Sequence, residues 1–220
     1  MKTQTILIMA FTLIAFSASC QSPYEQNKKI AEKAQKEQTP VQTKDENGLR
    51  KAYLASGCFW CVEAIYESLK GVKEAHAGYS GGTTKNPTYR NHGDHAETIE
   101  ILYNPEELTF AQLITVYFDS QNITQINGQG PDRGSAYRSI IFYQNQEEKD
   151  IIDYQIQLRE QVLGNNKVAA QVLPFQKFWM AEDYHQNYEQ NNPDNPYIQN
   201  VSIPRLNKFK KKHPDLLKDE

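Results

Sequence analysis

The order of apolar segments in this 220-residue chain predicts an α+β fold. Three observations carry that prediction. Short apolar runs with strand character fall at about 52–56, 72–77, 97–103 and 138–143. Helical periodicity separates the first run from the second and the third from the fourth. Two long polar loops interrupt the series. The resulting order, β-α-β-β-α-β, is the split βαβ or ferredoxin-like arrangement. It implies a two-layer sandwich with extended loops, in which an antiparallel sheet carries two helices on one face.

Each element has a local cause. Ala52-Tyr53-Leu54-Ala55 reads as a buried strand. Val62, Ile65, Tyr66 and Leu69 then recur at i, i+3, i+4 and i+7, which predicts a helix over 59–69, closed by Gly71. A strand from Val72 to Ala77 leads into the glycine-rich turn Gly78-Tyr79-Ser80-Gly81-Gly82. The first polar loop follows, with Pro87, Tyr89, Arg90, His92 and Asp94. A third strand from Glu97 to Tyr103 is ended by Asn104-Pro105. Thr109 can cap a helix that carries Phe110, Leu113, Ile114 and Tyr117 on one face. The second loop spans 119–137, and Arg138 to Tyr143 form the fourth strand. A helix at 147–163 and a strand at 167–173 extend the pattern.

The flanks differ in character. Lys2, the apolar run Ile6 to Phe16 and the small residues Ser17-Ala18-Ser19 form an export signal over 1–20. The run is too short to cross a bilayer as a helix. Cys20, directly after the small residues, resembles a bacterial lipoprotein cleavage site, although Ser17 stands where such sites usually have leucine. This places the protein in a bacterial cell envelope or periplasm, lipid-anchored to a membrane. Residues 21–50 are rich in Gln, Lys, Glu and Asn and are expected to be a flexible polar tether. The catalytic domain is expected over 51–208, with a charged tail at 209–220. A net charge of −3 argues against a general nucleic-acid binder. Thirteen tyrosines exceed what such a core needs, which suggests that some line a site.

The most informative stretch is Gly57-Cys58-Phe59-Trp60-Cys61-Val62-Glu63. Cys58 falls where a strand ends and a helix begins, and the helix N-terminus is expected to lower its pKa. Cys61 lies one turn on, within the reach of a disulfide. The motif reads as an attacking thiol with a resolving thiol beside it. Two other readings stand at this point. Both cysteines can be inert core thiols packed beside aromatics. Alternatively they are half of a zinc site completed by His92 and His95, at a spacing unlike a compact zinc finger.

Further segments carry a family resemblance. Gly57-Cys58-Phe59-Trp60 resembles the signature of peptide methionine sulfoxide reductase A. Ala77-Gly78-Tyr79-Ser80-Gly81-Gly82, Asn86-Pro87-Thr88-Tyr89-Arg90, Gly93-Asp94-His95-Ala96-Glu97, Gln129 to Arg138 and Ala181-Glu182-Asp183-Tyr184-His185-Gln186 match the family in order. The resemblance covers about residues 51–197. It implies reduction of methionine S-sulfoxide, free or in proteins. Cys58 would be the nucleophile, and Phe59 and Trp60 would hold the substrate methyl group. Tyr89, Glu97 and Tyr137 would bind or protonate the sulfoxide oxygen, with Asp132 in support. Cys58 would become a sulfenic acid, Cys61 would resolve it as a Cys58–Cys61 disulfide, and thioredoxin or a similar dithiol would reduce that. No bound cofactor is implied. Many relatives have glycine in place of Cys61 and recycling cysteines in a C-terminal tail, whereas Asn192 to Glu220 has none. His95 and His185 read as structural hydrogen-bonders. A thioredoxin-like disulfide oxidoreductase and a zinc-bound interaction module are the competing functions.

Overall fold

Side-chain alternation along β1 (Arg50–Ser56) divides the molecule into layers. Ala52 and Leu54 point into the main core, while Tyr53 and Ala55 point into a smaller cluster on the opposite face. In the computed structural model, which describes residues 22–219, the sheet order is β7-β6-β1-β3-β2-β8. Here β2 is Val72–Ser80, β3 Ala96–Tyr103, β6 Ser139–Tyr143, β7 Gln171–Pro174 and β8 Trp179–Met180. The inner β6-β1-β3-β2 order is the ferredoxin-like one, and its pairings are antiparallel.

The main core packs under α2 (Phe59–Glu67), α3 (Phe110–Asp119) and α4 (Gln146–Leu163). Thr109 caps α3 in a full capping box with Gln112, as its sequence suggests. One pairing departs from the all-antiparallel expectation. β7 runs parallel to β6, because α4 is a crossover that returns the chain in the same direction. That strand also starts later than position 167.

Residues 23–43 are not the flexible tether that their composition suggests. α1 (Pro23–Glu37) starts with a capping box between Ser22 and Glu25. It buries Ala31 in the smaller cluster with Phe142, Leu173 and Phe175. Polar side chains then fix it. Asn27 Nδ2 donates to the Ala169 carbonyl at 3.1 Å, and Gln35 Nε2 to that of Val172 at 3.0 Å. Composition hid this, because the helix docks by hydrogen bonds and two small apolar side chains, Ala31 and Ala34.

The expected tail boundary at 208 also moves. Within α6 (Ile203–Lys212), Phe209 is buried, and Lys218 N donates to the Ser68 carbonyl at 2.9 Å. The end of the chain therefore closes over the C-terminus of α2. The export signal and Cys20 lie outside the described residues.

Candidate active site

The β1–α2 junction positions the pair of thiols. Gly57 turns the chain at φ +91°, and a Cβ there would lie 2.5 Å from Gln129 Cβ, so both conformation and space demand glycine. Cys58 is the N-cap of α2 and supplies no capping side-chain bond. The orphan donor is satisfied from another element: Phe59 N–H donates to Glu97 Oε2 at 2.9 Å. Glu97, on β3, is 3% exposed. Burial pushes its pKa up to about 8, against the lowering effect of the Phe59 bond. It is therefore a neutral acid at pH 7. Its second oxygen, Oε1, makes no hydrogen bond among the described residues.

Cys58 and Cys61 are free thiols, both buried. The expectation that the helix N-terminus lowers the Cys58 pKa is corrected. Burial, the Cys61 thiol and the Glu97 carboxyl push Cys58 well up. Cys61 is held down to about 6, first by its hydrogen bond from Cys58 and then by the Arg205 cation and the Ser202 and Tyr197 hydroxyls, which outweigh its burial.

The aromatic wall stands on one side. Trp60 stacks on Tyr188, with centroids 3.7 Å apart and planes at 9°. Its Nε1–H donates to His185 Nδ1 at 3.1 Å, and burial lowers the pKa of His185, which keeps that nitrogen an acceptor. Tyr89 faces Phe59 at 6.3 Å and Trp60 at 6.4 Å, and is 37% exposed at the mouth. Burial raises the pKa of both Tyr89 and Tyr137, and both lie within electrostatic range of Glu97 and Cys58. Each stays a hydroxyl donor.

Loop side chains hold these groups in place. Arg138 donates to the carbonyls of Ser135 at 2.7 Å, Gly81 at 3.1 Å and Asp94 at 3.0 Å, which ties the Tyr137 turn to the glycine-rich turn. Asp94 in turn accepts from the backbone N–H groups of Thr83 and Thr84. Glu182 accepts from Tyr89 N at 3.0 Å and from the Tyr79 hydroxyl at 3.1 Å. His95 accepts from Gly82 N at 3.1 Å and lies 2.8 Å from the Thr84 carbonyl. His95 and His185 thus act structurally, as their sequence context suggested.

Asp132 lies on the short strand β5 (Asp132–Arg133), which pairs with β4 (Gly128–Gln129), within electrostatic range of Glu97 and Tyr137. It accepts from the Tyr197 hydroxyl at 2.6 Å, and that hydroxyl is 3.7 Å from Cys61 Sγ. A cavity of about 860 Å³ opens there, lined by Cys61, Asp132, Tyr197, Arg205 and Lys208 among others. The structure therefore brings Cys58, Cys61, Phe59, Trp60, Tyr89, Glu97 and Tyr137 together, with Asp132 near Glu97 and Tyr137 and bonded to Tyr197. Sequence reasoning missed Tyr188, Tyr197, Ser202 and Arg205. The surplus of tyrosines was the available signal for two of them. No group of three or more His, Cys, Asp or Glu side chains is placed to hold a metal among the described residues.

The peptide methionine sulfoxide reductase family matches residues 50–217. Peptide methionine sulfoxide reductase MsrA of Sulfolobus acidocaldarius is 41% identical over 168 residues, covering 74% of this chain and 95% of that one. MsrA 2 of Synechocystis is 42% identical over 185 residues, covering 81% and 86%. Among solved structures, the reduced form of Mxr1 from Saccharomyces cerevisiae aligns with a TM-score of 0.61 at 31% identity, over 68% of this chain and 90% of that one. Methionine sulfoxide reductase A of Corynebacterium diphtheriae aligns with a TM-score of 0.59 at 29% identity, over 71% and 86%.

Proposed function

The chain belongs to the peptide methionine sulfoxide reductase family and is a peptide-methionine (S)-S-oxide reductase, and from that premise we propose how its own residues divide the reaction. It reduces methionine S-sulfoxide by thiol chemistry. The substrate methyl group lies against Phe59 and Trp60. Tyr89 and Tyr137 donate to the sulfoxide oxygen, and Glu97 Oε1–H gives it a proton. The resulting carboxylate takes the Cys58 proton as the sulfur attacks. Oxygen ends on Cys58 as a sulfenic acid and methionine leaves as the thioether. The substrate gains two electrons and Cys58 loses them.

The Cys61 thiolate then attacks Cys58. The S–S bond forms, the S–O bond breaks, and the oxygen takes the Glu97 proton and leaves as water. An external dithiol of the thioredoxin type reduces the disulfide by exchange and restores both protons. The observation that carries this account is the buried Glu97 carboxyl, bonded to the N–H of the residue after Cys58. Turnover assays on separated sulfoxide epimers test it: the S epimer should be consumed and the R epimer left. Equal turnover of both would contradict it.

The location belongs to the same proposal. Residues 1–20 direct export, and the mature protein begins at a lipidated Cys20 on a membrane, where it repairs exported proteins. The support is the charged start, apolar run and small residues before Cys20. Cell fractionation with mass spectrometry of the N-terminus tests it. A soluble protein with an unmodified N-terminus would overturn it.

A further inference from the structure

Toward its C-terminus, α4 is inverted. Its charged side chains turn inward. Arg159 lies over the Phe118 ring at 4.4 Å and donates to the Gln155 carbonyl, and Glu160 lines the cleft between α4 and α1 with Lys28 and Lys149. The outward face carries Tyr154, Leu158 and Val162 at i, i+4 and i+8. They are 59%, 37% and 85% exposed, and Leu163 beside them is 41% exposed. The other exposed side chains on this stretch are glutamines and asparagines, so none from Tyr154 to Asn166 is charged. Asp153, at one end of the stretch, is paired with Lys149; Lys167, at the other, is exposed. An ordinary solvated helix shows the reverse pattern, with charge outside and apolar side chains within.

Position says what covers this face. Lys167 Nζ lies 5.8 Å over the Tyr24 ring, and the Tyr24 hydroxyl donates to the Thr124 carbonyl. The start of α1 therefore sits beside the tip of α4. Cys20 stands four residues before Tyr24, within about 15 Å at full extension. A lipid on Cys20 brings a bilayer to this end of the molecule. We propose that the outer face of α4, from Tyr154 to Leu163, lies in the headgroup layer of an anionic bilayer and fixes the orientation of the anchored domain. This rests on the reading of Cys20 as a lipidated anchor. Tyrosine and uncharged amides suit the headgroup level, aliphatic side chains reach below it, and Lys28 and Lys167 meet anionic headgroups. The stripe is too small to hold the protein alone; it orients what the lipid holds. A second copy is a poorer occupant, because a stable interface buries about 800 Å² on each partner and these few side chains do not supply that. The orientation has a use. α4 packs at the β7–β6 end of the sheet, whereas Tyr89, His185 and Tyr188 gather beside β2 and β8 at the other end. With α4 on the lipid, the mouth of the site opens away from it, toward exported proteins.

The test reads orientation and anchor separately. The full chain is produced in an exporting bacterial host and mixed with vesicles of phosphatidylethanolamine and phosphatidylglycerol whose acyl chains carry bromine near the headgroup. Vesicle-bound protein is isolated by flotation. Tryptophan emission is read in Val162→Trp and in Met180→Trp, a position 53% exposed on β8 at the far end of the sheet. The native protein supplies the background of Trp60 and Trp179. An indole at position 162 should sit about 5–10 Å into the headgroup boundary and lose roughly half or more of its emission to bromine, while one at position 180 should lose less than about a tenth. Adding Leu158→Glu to Val162→Trp should remove that quenching and leave turnover of free methionine sulfoxide unchanged. The mass of the N-terminus in the same sample reports the anchor. An unmodified Cys20 with position 162 still quenched would end the anchor and support the docking face. A lipidated Cys20 with positions 162 and 180 quenched alike, or neither quenched, would keep the anchor and overturn the docking face. Protein absent from the vesicle fraction would overturn both. An indole at position 162 shielded from acrylamide without vesicles, in protein that sediments as a dimer, would assign the face to a second copy and overturn the proposal.

Discussion

Glu97 does two jobs with two oxygens. Oε2 caps α2 by accepting from Phe59 N–H, which fixes the carboxyl beside Cys58. Burial keeps the group protonated to about pH 8, which leaves Oε1 a donor. Glu97→Gln keeps a cap but has no acid proton, so the single-turnover rate of methionine release should drop roughly 10²–10⁴-fold. In the native protein that rate should fall as pH rises through about 8, and the alkaline limb should vanish in Glu97→Gln. A stability effect accompanies it. The folded pKa lies above the unfolded carboxylate value, so the contribution is fully present below about pH 4.5 and is lost as pH rises through about 8. The melting temperature of the native protein should therefore fall more between pH 5 and pH 8.5 than that of Glu97→Gln, as read by calorimetry. Equal falls would show that Glu97 is not buried as an acid. The sequence made Cys58, Phe59, Trp60, Glu97, Tyr89 and Tyr137 legible, because each sits inside a compact ordered segment. It did not reveal Tyr197 or Arg205. Tyr197 reaches Cys61 from 136 positions away and Arg205 lines the same cavity, in a stretch whose asparagines and lysines read as surface. The rise of the Cys58 pKa was also illegible, because it comes first from burial rather than from the helix terminus.

At the scale of elements, the short α5 (Tyr188–Asn191) sets the aromatic wall. Tyr188 lies flat on Trp60, and His185 holds its indole N–H. A stacked pair of this kind contributes about 0.5–1.5 kcal/mol beyond area burial. Tyr188→Ala should therefore raise KM for the sulfoxide roughly two- to tenfold with a smaller effect on kcat, as steady-state kinetics would show. A change confined to kcat would argue that Tyr188 touches the reaction rather than the binding wall. The strand and helix pattern was readable from period alone in β1, α2, β3 and α3, where the core is apolar. It was unreadable in α1, whose docking rests on Ala31 and on amide side chains that look solvated. Ala31→Asp would place a carboxylate in that contact. It should speed hydrogen exchange of residues 23–37 sharply while leaving sulfoxide reduction unchanged. Equally fast exchange in the native protein would restore the flexible-tether reading.

Across the whole molecule, α1 changes what a lipid at Cys20 would do. Tyr24 donates to the Thr124 carbonyl at 2.7 Å, so the start of the described chain is tied to the loop that carries Gln129 and Asp132. Few residues separate Cys20 from that tie, at no more than about 3.6 Å each. A lipidated Cys20 would hold the domain against the membrane surface rather than on a long leash. Cys20→Ala should release the protein from membranes with no change in turnover of free sulfoxide, since the site lies within residues 56–209. The two thiols at the start of α2 are the centre of the account, and one stoichiometric experiment addresses them. The reduced protein is mixed with one equivalent of methionine S-sulfoxide and no reductant, quenched with an alkylating agent and mapped by mass spectrometry. One methionine per chain and one Cys58–Cys61 disulfide are expected, while Cys61→Ser should release the same methionine and leave a sulfenic acid on Cys58. Methionine release from Cys58→Ser, or a disulfide that joins Cys20 to either thiol in place of the Cys58–Cys61 bond, would contradict it.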